Sequence, residues 1–183
     1  MGTIKTTNIE PIADNGTVTL GSSGDTFTLG SGVLQSNLMY PAFGASVTSD
    51  QVITASTFTK IEFDNEILDT NNAYDPTTNY RFTVPSGQAG KYYISLDYIS
   101  GSNSNNLQYT ILGIYKNGSI IKRSDMNSNS TSNAQFRRFP LSSYIIEDLS
   151  VGDYIEAFAY MVGTDPRIFG SSTSFFGAYR IGS

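Results

Sequence analysis

The chain has 183 residues, no cysteine, no histidine and a formal charge of -5. The missing thiols and imidazoles exclude disulfides, zinc-thiolate sites, cysteine nucleophiles and the usual general base. The negative balance argues against a nucleic-acid partner held by phosphate neutralisation, whereas 39% hydrophobic and 13% aromatic residues are enough for a packed core.

The N-terminus, Met1-Gly2-Thr3-Ile4-Lys5, lacks the apolar core of a signal peptide. No apolar run approaches the ~20 residues of a membrane helix. The expectation is a chain made in a cytoplasm and not inserted into a membrane. Residues 1–35 are rich in Gly, Ser and Thr and hold a repeat, in which Val18-Thr19-Leu20-Gly21 returns as Phe27-Thr28-Leu29-Gly30. Ser22-Ser23-Gly24-Asp25 supplies the turn between the copies. Two copies cannot build a core alone, because repeat architectures need about three stacked units. Three chains side by side would supply them and cover Val18, Leu20, Phe27 and Leu29. The segment therefore reads as a short β stalk and anchor, with residues 36–183 as the head. The other reading is a flexible Gly/Ser linker, which needs no such period.

The head reads as strands in chain order: Ala42 to Val47, Lys60 to Phe63, Arg81 to Val84, Tyr92 to Ile99, Leu107 to Tyr115, Ser119 to Arg123, Leu141 to Leu149, Tyr154 to Met161 and Ser174 to Ile181. Asp, Pro, Asn and Gly punctuate them, and no stretch carries a capped helical period. Asn117-Gly118 predicts a tight hairpin, because a type I′ turn needs positive φ at both central residues. Along 154–161, Tyr154, Glu156, Phe158 and Tyr160 share one face, and Ile155, Ala157, Ala159 and Met161 the other. Two largely apolar faces suit an inner sheet, covered by a partner sheet on one side and by other subunits on the other.

Glu62, Asp64, Glu66, Asp69 and Asp75 form the densest acidic group, and the first three share a face if their strand continues. The run holds no Asp-x-Asp-x-Asp-Gly calcium loop, and a solvated strand and turn accounts for it; a metal site is the alternative. The loops 101–106 and 127–133 are rich in amides that can hydrogen-bond sugar hydroxyls. Asn103, Asn105, Asn106, Asn127 and Asn129, with Arg167, are the candidate ligand contacts; plain solvated loop is the alternative. Arg137-Arg138 and Asp165-Pro166-Arg167 are either subunit or anion contacts, or isolated surface charge. No phosphate loop or catalytic triad is legible, so neither a cofactor nor an enzymatic activity is expected. A hydrolase working with scattered carboxylates is the weakest of the readings.

Several pieces of the head resemble the globular heads of complement C1q and its tumour-necrosis-factor relatives. They are Pro41-Ala42-Phe43-Gly44-Ala45, Phe58-Thr59-Lys60-Ile61-Glu62-Phe63, Tyr74-Asp75-Pro76-Thr77-Thr78, Gly90-Lys91-Tyr92-Tyr93-Ile94, Val151-Gly152-Asp153-Tyr154-Ile155 and Ser174-Phe175-Phe176-Gly177-Ala178-Tyr179. The resemblance implies an all-β jelly-roll sandwich that works as a homotrimer and binds rather than catalyses. Tyr93, Phe158, Tyr160, Phe175 and Tyr179 are then expected at or near the trimer axis on the inner sheet. The collagen stalk of that family is absent. The N-terminal repeat instead resembles the starts of structural proteins of marine bacteriophages. That resemblance implies a virion appendage or decoration protein, on capsid or tail fibre, attached to other virion proteins through residues 1–35. The alternative is an adhesin for a host receptor or surface glycan.

Overall fold

The computed structural model describes residues 41–127, 138–170 and 173–182. All regular elements there are strands: β1 Ala42–Ser46, β2 Gln51–Val52, β3 Thr59–Lys60, β4 Asn65–Asp69, β5 Tyr74–Asp75, β6 Arg81–Thr83, β7 Gly90–Ser102, β8 Tyr109–Lys116, β9 Ser119–Asn127, β10 Arg138–Leu149, β11 Tyr154–Val162, β12 Pro166–Ile168 and β13 Phe175–Gly182. The stalk reading, with Val18, Leu20, Phe27 and Leu29, lies outside the described residues.

Two antiparallel sheets form a jelly-roll sandwich. In the first, β10 pairs along its whole length with β7, from Gly90 to Gly101. Its other edge is shared by β13 and β12. β13 continues to β1 and then to β4, and β12 to β2. The second sheet runs β5-β6-β11-β8-β9, with β3 also on β11. The β8–β9 hairpin closes at Asn117-Gly118 with φ of 51° and 79°. This is the predicted turn, set by a residue pair that enters that backbone region at little cost.

Period-two alternation builds the core. Tyr92, Ile94, Leu96 and Tyr98 point inward from β7, and Phe43 and Ala45 from β1. Phe176 and Ala178 come from β13, and Leu112 and Ile114 from β8. Ile155, Ala157, Ala159 and Met161 come from β11, the face assigned to the interior from sequence. The partner sheet of β11 differs from the expectation. It lies in the second sheet, not beside β7 and β13.

The acidic run does not extend one strand. β3 ends at Lys60 and β4 begins at Asn65, so Glu62, Asp64 and Glu66 are not lined up on one strand face. The carboxylates are used locally. Asp64 accepts from the Thr48 amide at 2.8 Å, and Asp69 from the Tyr74 amide at 2.8 Å. Asp75 caps the following turn, accepting from the backbone amides of Thr77, Thr78 and Asn79 at 3.0, 2.9 and 3.1 Å. Those donors hold its carboxyl well below the usual carboxylate range. This is the physical content of the Tyr-Asp-x-x-Thr piece: the aspartate closes the turn while Tyr74 enters the core, its hydroxyl donating to the Phe63 carbonyl at 2.9 Å.

Candidate functional site

The outward face of the first sheet is built by residues that the core does not use. The registers set Ile146, Tyr93, Tyr179 and Ala42 in one row across four strands. Tyr144, Ser95, Gly177 and Gly44 form the next row. Neither row holds a charged side chain. The Tyr93 ring lies 5.4 Å from Tyr179 and 6.1 Å from Tyr144, so three tyrosines from three strands meet. Phe175 lies flat beside them. A Cβ at Gly177 would come within 2.7 Å of its ring and one at Gly44 within 3.1 Å, so the facing glycines are what give the ring its seat. Tyr144 is 66% exposed and Ile146 58%. Contiguous apolar side chains this open are what interaction surfaces carry.

Of the five residues expected on one inner sheet, the structure brings Tyr93, Phe175 and Tyr179 together and leaves Phe158 and Tyr160 on the opposite side of the sandwich. The cause is the pairing of β11 with β8, β6 and β3. Alternation fixed which face of β11 is apolar, but strand neighbours are set by long-range pairing. Sequence reasoning missed Tyr144 and Ile146. They sit in the run Tyr144-Ile145-Ile146, whose continuous apolarity hides which residues point out.

On the second sheet, Phe158 and Tyr160 join other rings. Tyr115 lies 4.3 Å from Phe158 and 6.1 Å from Phe58, Phe58 lies 5.2 Å from Tyr160, and Tyr160 lies 6.1 Å from Tyr109. Polar groups edge this run. Lys60 Nζ pairs with Glu156 Oε1 at 2.5 Å beside the Phe158 ring. Arg123 Nη2 donates to the Tyr109 hydroxyl at 3.0 Å, and that hydroxyl donates to Asp125 Oδ2 at 3.3 Å.

The amide-rich loop is more structural than its composition implied. Asn106 Oδ1 accepts from Ser102 Oγ at 2.8 Å and from the Thr164 amide at 2.9 Å, while its Nδ2 donates to Thr164 Oγ1 at 2.8 Å. It pins two distant loops. Asn103, with its amide oxygen turned to Arg167, accepts from Nη1 at 3.1 Å and Nη2 at 2.7 Å. Arg167 also pairs with Asp165 at 2.6 Å and Asp50 at 3.7 Å, so most of its donors are engaged inside the chain. Arg138 stacks over the Phe169 ring at 4.0 Å. Asn105 is exposed with a φ of 52°, and Asn127 ends β9 in an exposed position. Asn129 and Arg137 lie outside the described residues.

No family model matches the chain, and no curated protein matches it. Solved structures do match. The globular domain of zebrafish complement 1qA protein superposes with a TM-score of 0.52 at 14% identity, over 77% of this chain and 97% of that one. Murine APRIL, crystallised at pH 5.0, superposes with a TM-score of 0.57 at 10% identity, over 76% of this chain and 98% of that one. At these identities the likeness concerns the fold: the head has the jelly-roll architecture of C1q and tumour-necrosis-factor domains.

Proposed function

We propose that three copies of the chain associate through the outward face of the first sheet, and that the trimer is a non-enzymatic virion appendage displaying its heads outward. The observation that carries the trimer is the pair of adjoining uncharged rows that hold Ile146, Tyr93 and Tyr179 in one and Tyr144 in the next. Charge enters this face beyond them, at Asp97 opposite Phe175 and at the Lys91–Asp148 pair, so copies can meet over the two rows without stranding an ion. A head-to-tail ring that closes on itself covers one such face per subunit. The fold supports this reading, being shared with a complement domain and APRIL.

Light scattering should give three times the 19.9 kDa chain mass across micromolar concentrations. Ile146→Asp combined with Tyr144→Asp should give a monomer with an unchanged β-type circular dichroism spectrum, because both side chains point away from the core. A wild-type monomer, or a charged double variant that stays trimeric, rules the face out.

The virion placement rests on residues 1–35 and the repeat they carry. In this reading the segment docks to another virion protein through Val18, Leu20, Phe27 and Leu29, and the head folds without it. A chain lacking residues 1–35 should remain a soluble β-rich trimer and fail to load onto particles. Normal loading of the truncated chain removes the anchor role and leaves the segment a spacer.

A further inference from the structure

The geometry points to a glycan-binding site on the outer face of the second sheet, one that takes an uncharged oligosaccharide along the run of rings Phe158, Tyr115, Phe58, Tyr160 and Tyr109. The inference rests on the trimer reading in one respect: self-association through the first sheet leaves the second sheet open to solvent.

The rings are not core residues. β11 fills the interior with Ile155, Ala157, Ala159 and Met161, and none of the five rings belongs to the core cluster. They nevertheless form an unbroken line, with adjacent centroids between 4.3 and 6.1 Å, drawn from the segment before β3, both ends of β8, and β11. Gly113 makes room for it. That residue pairs with Phe158 on one side and Arg123 on the other. A Cβ there would stand 3.0 Å from the Tyr115 ring and 3.1 Å from Ile120 Cδ1. Its absence lets Tyr115 lie across the sheet against Phe158. The rings brace one another at a tilt or edge to face, with interplanar angles of 39°, 66°, 48° and 73° along the line, so they are packed together before any ligand arrives, which lowers the entropy lost on binding.

The chemistry of the platform selects among occupants. A sugar ring has an apolar C–H face and a rim of hydroxyls. Aromatic faces take the first, and tyrosine hydroxyls, carboxylates and guanidinium or ammonium groups at ring edges take the second. Lys60 pairs with Glu156 and Arg123 with Asp125, while Arg81, opposite Glu156, stacks over the Tyr154 ring at 4.3 Å, so groups of both signs are interleaved and offer hydrogen bonds along the run. A stacked single-stranded nucleic acid needs a positively charged groove, and the chain carries -5. A protein partner bound by dry burial needs open aliphatic mass. Phe58 at 39% and Ile120 at 41% are the large apolar residues open on this face, whereas the first sheet exposes Tyr144, Ile146, Phe175, Tyr179 and Ile181.

The test is an array of neutral and anionic oligosaccharides probed with the full chain, followed by calorimetric titration of the best-bound neutral sugar. Light scattering is run on the same sample. Neutral glycans should dominate. Phe58→Ala and Tyr160→Ala should each weaken binding roughly tenfold or more, with mass and circular dichroism unchanged. Tyr109→Phe, which keeps the ring and removes the hydroxyl, should weaken it less. Binding confined to anionic glycans, or binding that ignores both ring deletions, overturns the site. A trimer that binds no neutral glycan also overturns it and leaves the trimer face standing. A monomer that binds through these rings does the reverse.

Discussion

Replacing Phe43 by alanine is expected to cost about 3–5 kcal/mol of folding stability, at least about a fifth of the roughly 5–15 kcal/mol that folded domains commonly have. The position explains the size of the effect. Phe43 comes from β1 in the first sheet, and its ring stacks on Tyr74 at 4.8 Å and Phe82 at 5.0 Å, both from the second. Its edge contact with Phe176 at 5.1 Å ties that stack to the neighbouring strand β13. Phe82 passes the contact on to Tyr92 at 5.8 Å. The ring is thus the joint between the layers, and its loss leaves a cavity whose walls are themselves locked. Tyr74 cannot slide in without breaking its hydrogen bond to Phe63. Phe43→Leu, which keeps most of the volume, should cost markedly less. Urea unfolding at one fixed protein concentration measures the difference, because oligomer stability moves with concentration. A cost under about 1.5 kcal/mol for the alanine variant would mean that the sheets are held together elsewhere.

Much of this core was legible in the sequence because it is written locally. The alternation along 154–161 named the four side chains that β11 sends inward, and Asn117-Gly118 named its hairpin. What was not legible depended on contacts far along the chain. The partners of β11 decide that Phe158 and Tyr160 look away from Tyr93, and nothing inside that strand encodes the choice. β4 escaped notice because Glu66, Ile67 and Leu68 are all exposed on a strand at the sheet edge, with no clear alternation to read. Asn106 looked like a ligand contact because its partner, Thr164, is 58 residues away. The aromatic line on the second sheet was invisible for the same reason: Phe58, Tyr109, Tyr115 and Tyr160 become neighbours only after three strands have paired.

Alkaline solution should unfold the head cooperatively, with buried tyrosines ionising in the same step. Burial pushes the Tyr92 hydroxyl up to about 12 and those of Tyr74 and Tyr98 further still. For Tyr74 the nearby Asp75 carboxylate adds to the effect. Each hydroxyl donates to a backbone carbonyl: Tyr74 to Phe63 at 2.9 Å, Tyr92 to Gln88 at 2.6 Å and Tyr98 to Ile111 at 2.7 Å. A phenolate cannot donate, so ionisation removes the bond and leaves a charge in the core. The sign follows from linkage. The folded chain holds these protons above the unfolded value of about 10, so their stabilisation is complete below pH ~10 and falls as pH rises beyond it. Tyr74 and Tyr98, the deeper pair, together should withdraw about 3 kcal/mol by pH ~11, with Tyr92 adding to the loss. Tyr74, Tyr92 and Tyr98 should ionise in a step that coincides with loss of the far-ultraviolet β signal. Tyr98→Phe deletes one titrating group, so relative to its stability at neutral pH its alkaline transition should be shallower. Ionisation of Tyr74, Tyr92 and Tyr98 near pH ~10 with the fold intact would show that the three hydroxyls are not sealed in the core.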